Sequence, residues 1–457
     1  MWLGRQTEGP VLLPGDDGYD LETATFNLIH SHRAALVVGA AHRRDVQAAV
    51  RFARRTGLPV AVVATGHGAV VPSDGAVLIN TRRLSGVTID PHARTARIEA
   101  GVRWQQVIDK AAVYGLAPIA GSAPAVGAVA YTLGGGLSPA LGRSLGYAAD
   151  HVRSIDVVTA DGALRHVTAR HDPELFWAIR GGKGNFGVVT ALEFDLFPFS
   201  RLYGGGLFFS GTRTADVLHA YREWVATVPE EMSTSFVLLR LPDLPVVPEP
   251  LRGTLTVHVR IAYLGTAEEG EKLVAPLRAA APPLIDTVAE MPFSAIATIH
   301  NDPTEPCAAV DRSMLLRELP AEAIDALVDL AGPDVAADDA LMMVEIRHLG
   351  GALSREPAVP NAVGHRSAAF NLFVASIVLP VEGDAERIRA IAQRVLDRFR
   401  PWGTGGSYLN FMATEDVTPD RVRAAYDADS FDRLLRTKQV YDPHNTFRIN
   451  HNIRQLD

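Results

Sequence analysis

Three glycine-rich segments stand out among the residues that could do chemistry: ATGHG at 64–68, TLGGG at 132–136 and GGKGNFG at 181–187. Glycine accepts positive φ angles and lets backbone N–H groups come close to an anion, so such loops are suited to holding phosphate. A single loop of this kind is more often an ordinary turn. Three in one part of the chain favour a nucleotide cofactor.

The third segment also satisfies the pattern G-x-G-x-x-G at residues 182–187. In dinucleotide-binding loops that pattern follows a strand and opens a helix, so that the pyrophosphate meets the helix N-terminus. Here a helix-like run, ELFWAIRG, comes first and a strand-like run, FGVVTALEF, follows. The order is reversed, and we reject the Rossmann interpretation. The sequence also lacks a P-loop and an H-E-x-x-H motif, and we predict no metal site.

The composition is that of a globular protein. The chain has 457 residues, of which 47% are hydrophobic and 21% charged, enough for two to four domains. Its formal net charge of −8 gives no reason to expect nucleic acid or an anionic membrane as partner. Only four of the 44 basic residues are lysines, a coding bias typical of GC-rich bacteria.

The lone cysteine, Cys307, excludes an intramolecular disulfide and a CxxC redox pair. The first 20 residues lack the organisation of a signal peptide, and no segment approaches ~18 consecutive apolar residues. We therefore expect a soluble cytoplasmic protein.

Strand-like and helix-like patterns alternate at short intervals between residues 34 and 198. The predicted strands are 34–39, 58–65, 75–81 and 186–197, with a hairpin over 152–168; the predicted helices run from Val46 to Gly57, from Trp104 to Gly115 and onward from Asp172. This part of the chain reads as α+β.

Longer strand candidates mark residues 199–400 and predict an antiparallel sheet with helices on one face. The strands are expected at 252–264, 340–350 and 367–379, and the helices at 213–228, 266–280, 320–331 and 384–399. Alternation places His258 and Arg260 on one face of their strand, opposite an apolar face that packs under the helices. Alternation alone does not decide whether the polar face meets the cofactor or solvent.

Four stretches together resemble the berberine-bridge-enzyme-like flavoproteins, which have the vanillyl-alcohol-oxidase (PCMH) type of FAD-binding fold. They are PVAVVATGHG (59–68), GSAPAVGAVAYTLGGG (121–136), DPELFWAIRGGKGNFGVVT (172–190) and KQVYDPHNTFRINHNI (438–453). The tail pattern K-x-x-Y-D-P-x-N-x-F-x-x-N-x-x-I is the most specific of them. The resemblance covers nearly the whole chain in order, although the central part matches only in its pattern of predicted strands and helices.

The resemblance implies an α+β protein with a two-lobed PCMH-type FAD-binding domain over residues 1–200. A substrate-binding domain, an antiparallel sheet covered by helices, would follow over 201–405. A C-terminal segment over 406–457 would return to the FAD domain.

The resemblance also implies how FAD is held. His67 occupies the position of the histidine that many members join to the flavin 8α-methyl group, and a neutral imidazole is a competent nucleophile for that bond. The alternative is that His67 only hydrogen-bonds a phosphate or a turn. Relatives with a second, cysteinyl link carry cysteine where this chain has Ala123, and Cys307 lies far away in sequence, in the central domain. A single histidyl link is expected, as in relatives that oxidise amines such as 6-hydroxynicotine.

The residues expected to contact FAD come from all of these motifs. They are Thr65, Gly66, His67, Gly68, Val126, Gly127, Thr132, Gly134, Gly135, Gly136, Gly184, Asn185, Gly187, Val189, Tyr408, Asn410 and Asn450.

Catalytic candidates begin with Tyr408 and Asn410, which match the family's Y-x-N-Y element; its second tyrosine is Phe411 here. Tyr408 is the leading candidate for base or substrate orientation, and its alternative interpretation is a packed aromatic residue. Further candidates are Tyr131, next to the TLGGG loop, and Glu345 and His258 on predicted strands.

The expected reaction is FAD-dependent hydride removal from a C–H bond next to oxygen or nitrogen of a small molecule, with O₂ reoxidising the flavin to give H₂O₂. A bacterial secondary-metabolite tailoring step ranks first, and a dehydrogenase remains open. The alternatives are a flavoprotein that binds or reoxidises a drug-like compound for resistance, or a carbohydrate oxidase. A monomer or homodimer is expected.

Overall fold

The computed structural model describes residues 3–455, and they form three β-sheets surrounded by helices. Across that range no helix is long and apolar enough to cross a membrane. The predicted α+β class is confirmed, including the antiparallel central sheet with its cover of helices.

The first sheet has four strands in the order β1-β2-β4-β3, of which β2, β4 and β3 are parallel and β1 is antiparallel to β2. It contains β1 (Val11–Leu12), β2 (Leu36–Gly39), β3 (Val60–Val63) and β4 (Val77–Asn80), with helices α1 (Tyr19–Thr23) and α2 (Arg43–Thr56). The apolar stripe of α2 is buried, and Gly57 ends this helix in the left-handed conformation, as the sequence predicts. The loop after β3 contains His67.

The second sheet has five antiparallel strands in the order β5-β6-β9-β7-β8. It contains β5 (Val87–Asp90), β6 (Thr95–Glu99), β7 (Val152–Val158), β8 (Leu164–Thr168) and β9 (Val188–Asp195), with helices α3 (Trp104–Ala112), α4 (Ala128–Leu133), α5 (Gly142–Leu145) and α6 (Pro173–Gly182). The predicted hairpin is β7–β8, and the GGKGNFG loop joins α6 to β9. Helix before and strand after that loop confirm the rejection of the Rossmann motif.

The third sheet has eight antiparallel strands in the order β13-β10-β12-β11-β16-β17-β15, and β14 pairs with β10. The strands are β10 (Arg201–Ser210), β11 (Met232–Arg240), β12 (Leu255–Tyr263), β13 (Ile285–Asp286), β14 (Ala289–Pro292), β15 (Ala309–Leu316), β16 (Met343–His348) and β17 (Phe370–Ile377). The helices within this part are α7 (Thr214–Val225), α8 (Ala267–Ala280), α9 (Ala297–His300), α10 (Ala321–Ala331) and α11 (Asp384–Phe399).

The two faces of the third sheet differ sharply in polarity. One face packs under α7, α8, α10 and α11 with apolar side chains such as Val259, Phe236 and Ile346. The other face, which we call the inner face, carries a cross-strand row that includes Arg347, Ser235 and Arg260. Arg260 is only 3% exposed, so this part of the inner face meets protein and not solvent. The structure thereby decides what strand alternation left open.

The C-terminal residues return to the first two sheets. Helix α13 (Ala428–Tyr441) packs against α6, with Phe431 and Leu434 fully buried in the core that also contains Phe176 and Val422 of α12 (Pro419–Arg423). The tail beyond α13 is attached by a buried lysine: Lys438 Nζ donates to the Asn185 carbonyl at 2.7 Å and to the Asp442 carboxylate at 2.6 Å.

Asn185 completes that attachment from the GGKGNFG loop. Its side-chain amide donates to the His451 carbonyl at 3.1 Å and its side-chain oxygen accepts from Ile453 N at 2.9 Å. Asp442 in turn accepts from the backbone N–H groups of Thr446 and Phe447 at 2.7 and 2.9 Å. The specific residues of the tail motif therefore fasten the chain terminus to this loop.

We expect Lys438→Met to destabilise the fold by about 3–5 kcal/mol, because it leaves the buried Asp442 carboxylate without its cation. Chemical unfolding followed by fluorescence measures the change. Lys272→Met is the matched control: Lys272 also pairs with an acid four residues away, Glu268, but both are exposed, and its effect should stay below about 0.5 kcal/mol. Equal losses in the two variants would contradict the assigned role of Lys438.

Candidate active site

A cavity of about 540 Å³ lies between the first two sheets and the inner face of the third. One side of it is built from the His67 loop, the segment at 121–131, the loop at 183–189 and the tail at 447–451. The other side is built from inner-face residues, among them Asp311, Met343, Arg347, Phe373 and Ala375. The cavity therefore joins the candidate cofactor loops to the candidate substrate wall.

His67 is held rigidly at this cavity. Its ring stacks on Phe26 at 3.8 Å between ring centroids, and its Nδ1 lies 2.9 Å from Thr65 Oγ1. The same hydroxyl oxygen accepts from Gly127 N at 3.2 Å. Burial, assisted by Arg103, lowers the pKa of His67 to about 4, so the imidazole is neutral at physiological pH. Its Nε2 is buried without a partner.

The glycine between Thr65 and His67 is required by the tight turn. Gly66 has φ +78°, and a Cβ on it would lie 2.5 Å from Thr25 Cβ. By contrast, a Cβ on Gly68 would meet open space. In the first loop, Gly66 therefore provides the turn conformation, while the backbone at Gly68 has open space beside it.

The TLGGG segment differs from its prediction, because Thr132, Gly134, Gly135 and Gly136 do not line the cavity. A Cβ on Gly134 would lie 2.0 Å from Asn410 Oδ1, one on Gly135 3.1 Å from the Tyr408 ring, and one on Gly136 2.8 Å from the Tyr131 ring. These glycines make room for the side chains of Asn410, Tyr408 and Tyr131.

Tyr408, Asn410 and Tyr131 are brought together at the cavity wall. Tyr408 Oη accepts from Leu137 N at 2.8 Å, and Asn410 Nδ2 donates to the Tyr131 carbonyl at 2.8 Å and to Tyr408 Oη at 3.3 Å. The Tyr131 hydroxyl is buried without a partner. Burial raises the pKa of both tyrosines, so both keep their proton at neutral pH.

Glu345 and His258 are not brought to the cavity. Glu345 is fully buried between two cations, with Arg260 Nη1 at 2.7 Å and Arg347 Nη2 at 2.9 Å. Burial raises the pKa of Glu345, but the two arginines outweigh it and hold the pKa below its usual value. His258 stacks on Phe208 at 3.9 Å between ring centroids. Neither side chain lines the cavity, although Glu345 is paired with Arg347, which does.

Several cavity residues were missed from the sequence, among them Lys183, Asp302 and Asp311. Lys183 has φ +50°, and its side chain passes close to Gly134: a Cβ added to Gly134 would lie 2.3 Å from Lys183 Cε. Burial lowers the pKa of Lys183 to about 8. A lysine in the middle of a glycine-rich loop was the available signal. For Asp302 and Asp311 there was no such signal, because the surrounding segment did not read as a strand.

Cys307 corrects a second expectation, since it lines the cavity and is not remote from it. Its backbone pairs with the segment that holds Phe26: Cys307 N donates to the Phe26 carbonyl at 3.1 Å, and Leu28 N donates to the Cys307 carbonyl at 3.0 Å. Ala123 also lines the cavity, on the side of the first two sheets.

Most of the predicted cofactor contacts do meet at this cavity. Those that line it are Thr65, Gly66, His67, Gly68, Val126, Gly127, Gly184, Asn185, Gly187, Val189, Tyr408, Asn410 and Asn450.

We expect Gly134→Ala to lower stability by about 1–3 kcal/mol, because the added methyl group overlaps Asn410 and Lys183. Thermal unfolding detects the loss, and near-ultraviolet circular dichroism reports the displaced tyrosines. Gly142→Ala serves as control, since its Cβ would meet Leu353 only at 3.5 Å; its effect should stay within about 0.5 kcal/mol. If Gly134→Ala is as stable as this control, the packing role of the glycine run is wrong.

Two family models match segments of the chain that contribute residues to this site. The FAD binding domain matches residues 34–168, and the "Berberine and berberine like" domain matches residues 407–454.

Full-length relatives agree with these matches. The chain is 28% identical to (R)-6-hydroxynicotine oxidase of Paenarthrobacter nicotinovorans, covering 98% of this chain and 96% of the relative. It is 26% identical to an FAD-linked oxidoreductase of Dictyostelium discoideum, covering 98% and 95%.

Solved structures share the fold. 6-Hydroxy-D-nicotine oxidase from Arthrobacter nicotinovorans superposes with a TM-score of 0.81 at 24% identity, covering 98% of both chains. Xylooligosaccharide oxidase from Myceliophthora thermophila gives 0.83 at 21%, covering 100% of this chain and 98% of the other. With both domain matches and full-length relatives, the chain is an FAD-linked oxidoreductase that resembles the berberine-bridge-enzyme-like flavoproteins.

Proposed function

We propose that this protein is an FAD-dependent oxidase that removes a hydride from a C–H bond next to oxygen or nitrogen of a small organic molecule. Its flavin is joined to His67, and O₂ reoxidises it to give H₂O₂. The observation that carries the proposal is the neutral, stacked imidazole of His67, held at a large cavity between cofactor loops and a polar substrate wall. The abundance of arginine over lysine supports a bacterial tailoring step as the setting.

The residues of the cavity fit FAD. Several side-chain atoms of the lining residues are buried without a partner, among them His67 Nε2, Tyr131 Oη, Asn450 Oδ1 and His451 Nε2. Buried polar atoms are almost always hydrogen-bonded in folded proteins, so unpartnered atoms around one cavity indicate a ligand with several polar groups. FAD has such groups along its whole length.

His67 would hold the flavin covalently. Attachment needs an imidazole nitrogen with a free lone pair, and the lowered pKa of His67 keeps the ring neutral down to about pH 4. The Thr65 hydroxyl fixes the ring orientation by its contact with Nδ1, while Phe26 restricts the ring plane. Ala123 offers no sulfur for a second link, and the backbone of Cys307 is paired with the segment that contains Phe26.

When bound, FAD supplies the acceptor for a hydride, which carries two electrons. The chain's own contribution is placement and charge. Tyr408 and Tyr131 remain protonated and offer hydrogen-bond donors to the substrate or the cofactor, and Asn410 fixes both by its two hydrogen bonds. The ammonium of Lys183 adds positive charge beside Asn410, where negative charge on a reduced cofactor would be stabilised.

The cavity surface favours a small molecule over an oligosaccharide. Aromatic residues Phe26, Phe373 and Phe411 line it together with the two tyrosines, and no tryptophan of residues 3–455 does so. Trp224 in the central part is buried under the sheet and donates to the Leu273 carbonyl. A resistance protein that only binds its compound would show the same cavity, and the reactivity of the flavin separates the two.

We expect His67→Ala to lose all covalently bound flavin. Acid precipitation of the wild-type protein should leave a yellow pellet, and intact-mass spectrometry should show the chain with one attached FAD. The variant should release any FAD into the supernatant. His32→Ala, which removes another cavity-lining histidine, should keep the flavin attached. Free FAD from acid-treated wild-type protein would rule out the histidyl link.

We expect the reduced enzyme to react rapidly with O₂, because the cavity presents fixed positive charge from Lys183 and Arg347. Stopped-flow absorbance of the photoreduced holoenzyme mixed with oxygenated buffer measures the rate, and a coupled peroxidase assay measures H₂O₂. Reoxidation no faster than that of free reduced flavin would assign the protein as a dehydrogenase.

A further inference from the structure

We propose that the substrate is a protonated amine, held through its ammonium group by Asp311, which then accepts a proton from the nitrogen. The inference rests on the proposed function for the oxidation itself. It adds the class of substrate and the residue that recognises it, from a position that no sequence motif marks.

Asp311 lies on the inner face of the third sheet. It sits on β15 opposite Ala375 of β17, which in turn faces Met343 of β16. All three residues line the cavity, together with Ala309 and Phe373. The carboxylate therefore stands in the substrate wall with apolar neighbours on its own face.

The Asp311 carboxylate makes no ion pair or side-chain hydrogen bond within residues 3–455. Glu345 is paired with two arginines. Asp302 shares its surroundings with Arg347, whose charge it stabilises. Among the described residues Arg312 is the only cation that acts on Asp311, and a carboxylate without a close cation in largely apolar surroundings is costly.

The charged groups around Asp311 strengthen this need. Glu415 and Asp416 act on it with like charge, and each is already engaged elsewhere: Glu415 with Arg389 at 2.8 Å and Asp416 with Arg421 at 2.8 Å. Arg312, next in the chain, points to the opposite face and lies 3.7 Å from Asp416. Burial, reinforced by the two acids, raises the pKa of Asp311 to about 7.

An ammonium ion matches this wall better than the other groups that carry an oxidisable C–H bond. It supplies the charge that Asp311 lacks, whereas an alcohol leaves the carboxylate unpaired and a carboxylate substrate is repelled. Met343, Phe373 and Phe411 suit an apolar or aromatic body attached to the amine.

The raised pKa also gives Asp311 a chemical task. An N–H bond of the ammonium breaks, its proton forms an O–H bond with the Asp311 carboxylate, and the nitrogen keeps the electron pair. The amine is then neutral, which is the form whose neighbouring C–H can lose a hydride. A carboxyl group with pKa near 7 accepts this proton more easily than an ordinary aspartate with pKa about 3.9.

The test compares two probes of nearly equal shape, N-methylbenzylamine and benzyl methyl ether, titrated anaerobically into the holoenzyme. The change in flavin absorbance gives each dissociation constant. At pH 7.5 the wild-type protein should bind the amine at least about tenfold more tightly than the ether. Asp311→Asn should reduce this preference to within about twofold while leaving the affinity for the ether unchanged.

Two further variants keep the test decisive. Asp311→Glu preserves the charge and should keep most of the preference for the amine, which separates loss of charge from loss of fold. Asp302→Asn should keep the preference as well. Full preference in Asp311→Asn, or its loss in Asp302→Asn alone, would overturn the proposal. So would the absence of any spectral change with both probes.

The pH dependence follows from the same carboxyl group. A bound cation favours ionised Asp311, so the affinity for N-methylbenzylamine should rise from pH 6 to 8, most steeply near pH 7, and stay flat in Asp311→Asn. Failure of the oxidase proposal looks different: the amine would bind with preference but would not bleach the flavin. Bleaching without preference would leave the oxidase standing and remove Asp311 from recognition.

Discussion

The inner face of the eight-stranded sheet must be covered by protein, because its ionised side chains are out of reach of water. Arg260 and Glu345 are 3% and 0% exposed, and they are tolerated only as members of one hydrogen-bonded ion-pair cluster with Arg347 and Ser235. The first two sheets provide that cover. The large cavity is the space that remains between them, and it has cofactor loops on one side and substrate-facing strands on the other.

A second constraint is the attachment of the C-terminal tail. Lys438, Asp442 and Asn185 bind the tail to the GGKGNFG loop and so bring Asn450 and His451 to the cavity. The same loop holds Lys183 against Asn410. Residues from four distant parts of the chain therefore share one wall of the cavity. The motifs form the site together, although no single loop resembles a familiar phosphate cradle.

Sequence reasoning reached the fold class, the reversed context of the GGKGNFG loop and most of the cavity-lining loop residues, because these depend on local periodicity and on specific motifs. It missed β10, whose three glycines interrupt the pattern, and β15, where Asp311 and Arg312 hide the strand. It took the TLGGG glycines for cofactor contacts, although they accommodate Tyr131, Tyr408 and Asn410. Cys307 was expected to be remote because it is far from the cofactor motifs along the chain. The isolated β-bridge between Cys307 and Asn27, which brings it to the cavity, is a tertiary contact that the sequence does not reveal. Those features depend on tertiary contacts.

The account joins a flavin fixed on His67 to a substrate wall that contains Asp311 and Phe373. A crystal structure of the purified holoprotein tests that union most directly. It should show continuous electron density from the His67 imidazole to the flavin 8α carbon, with one face of the flavin ring turned toward Asp311 and Phe373. A flavin ring without a bond to His67, or one separated from Asp311 by intervening protein, would contradict it.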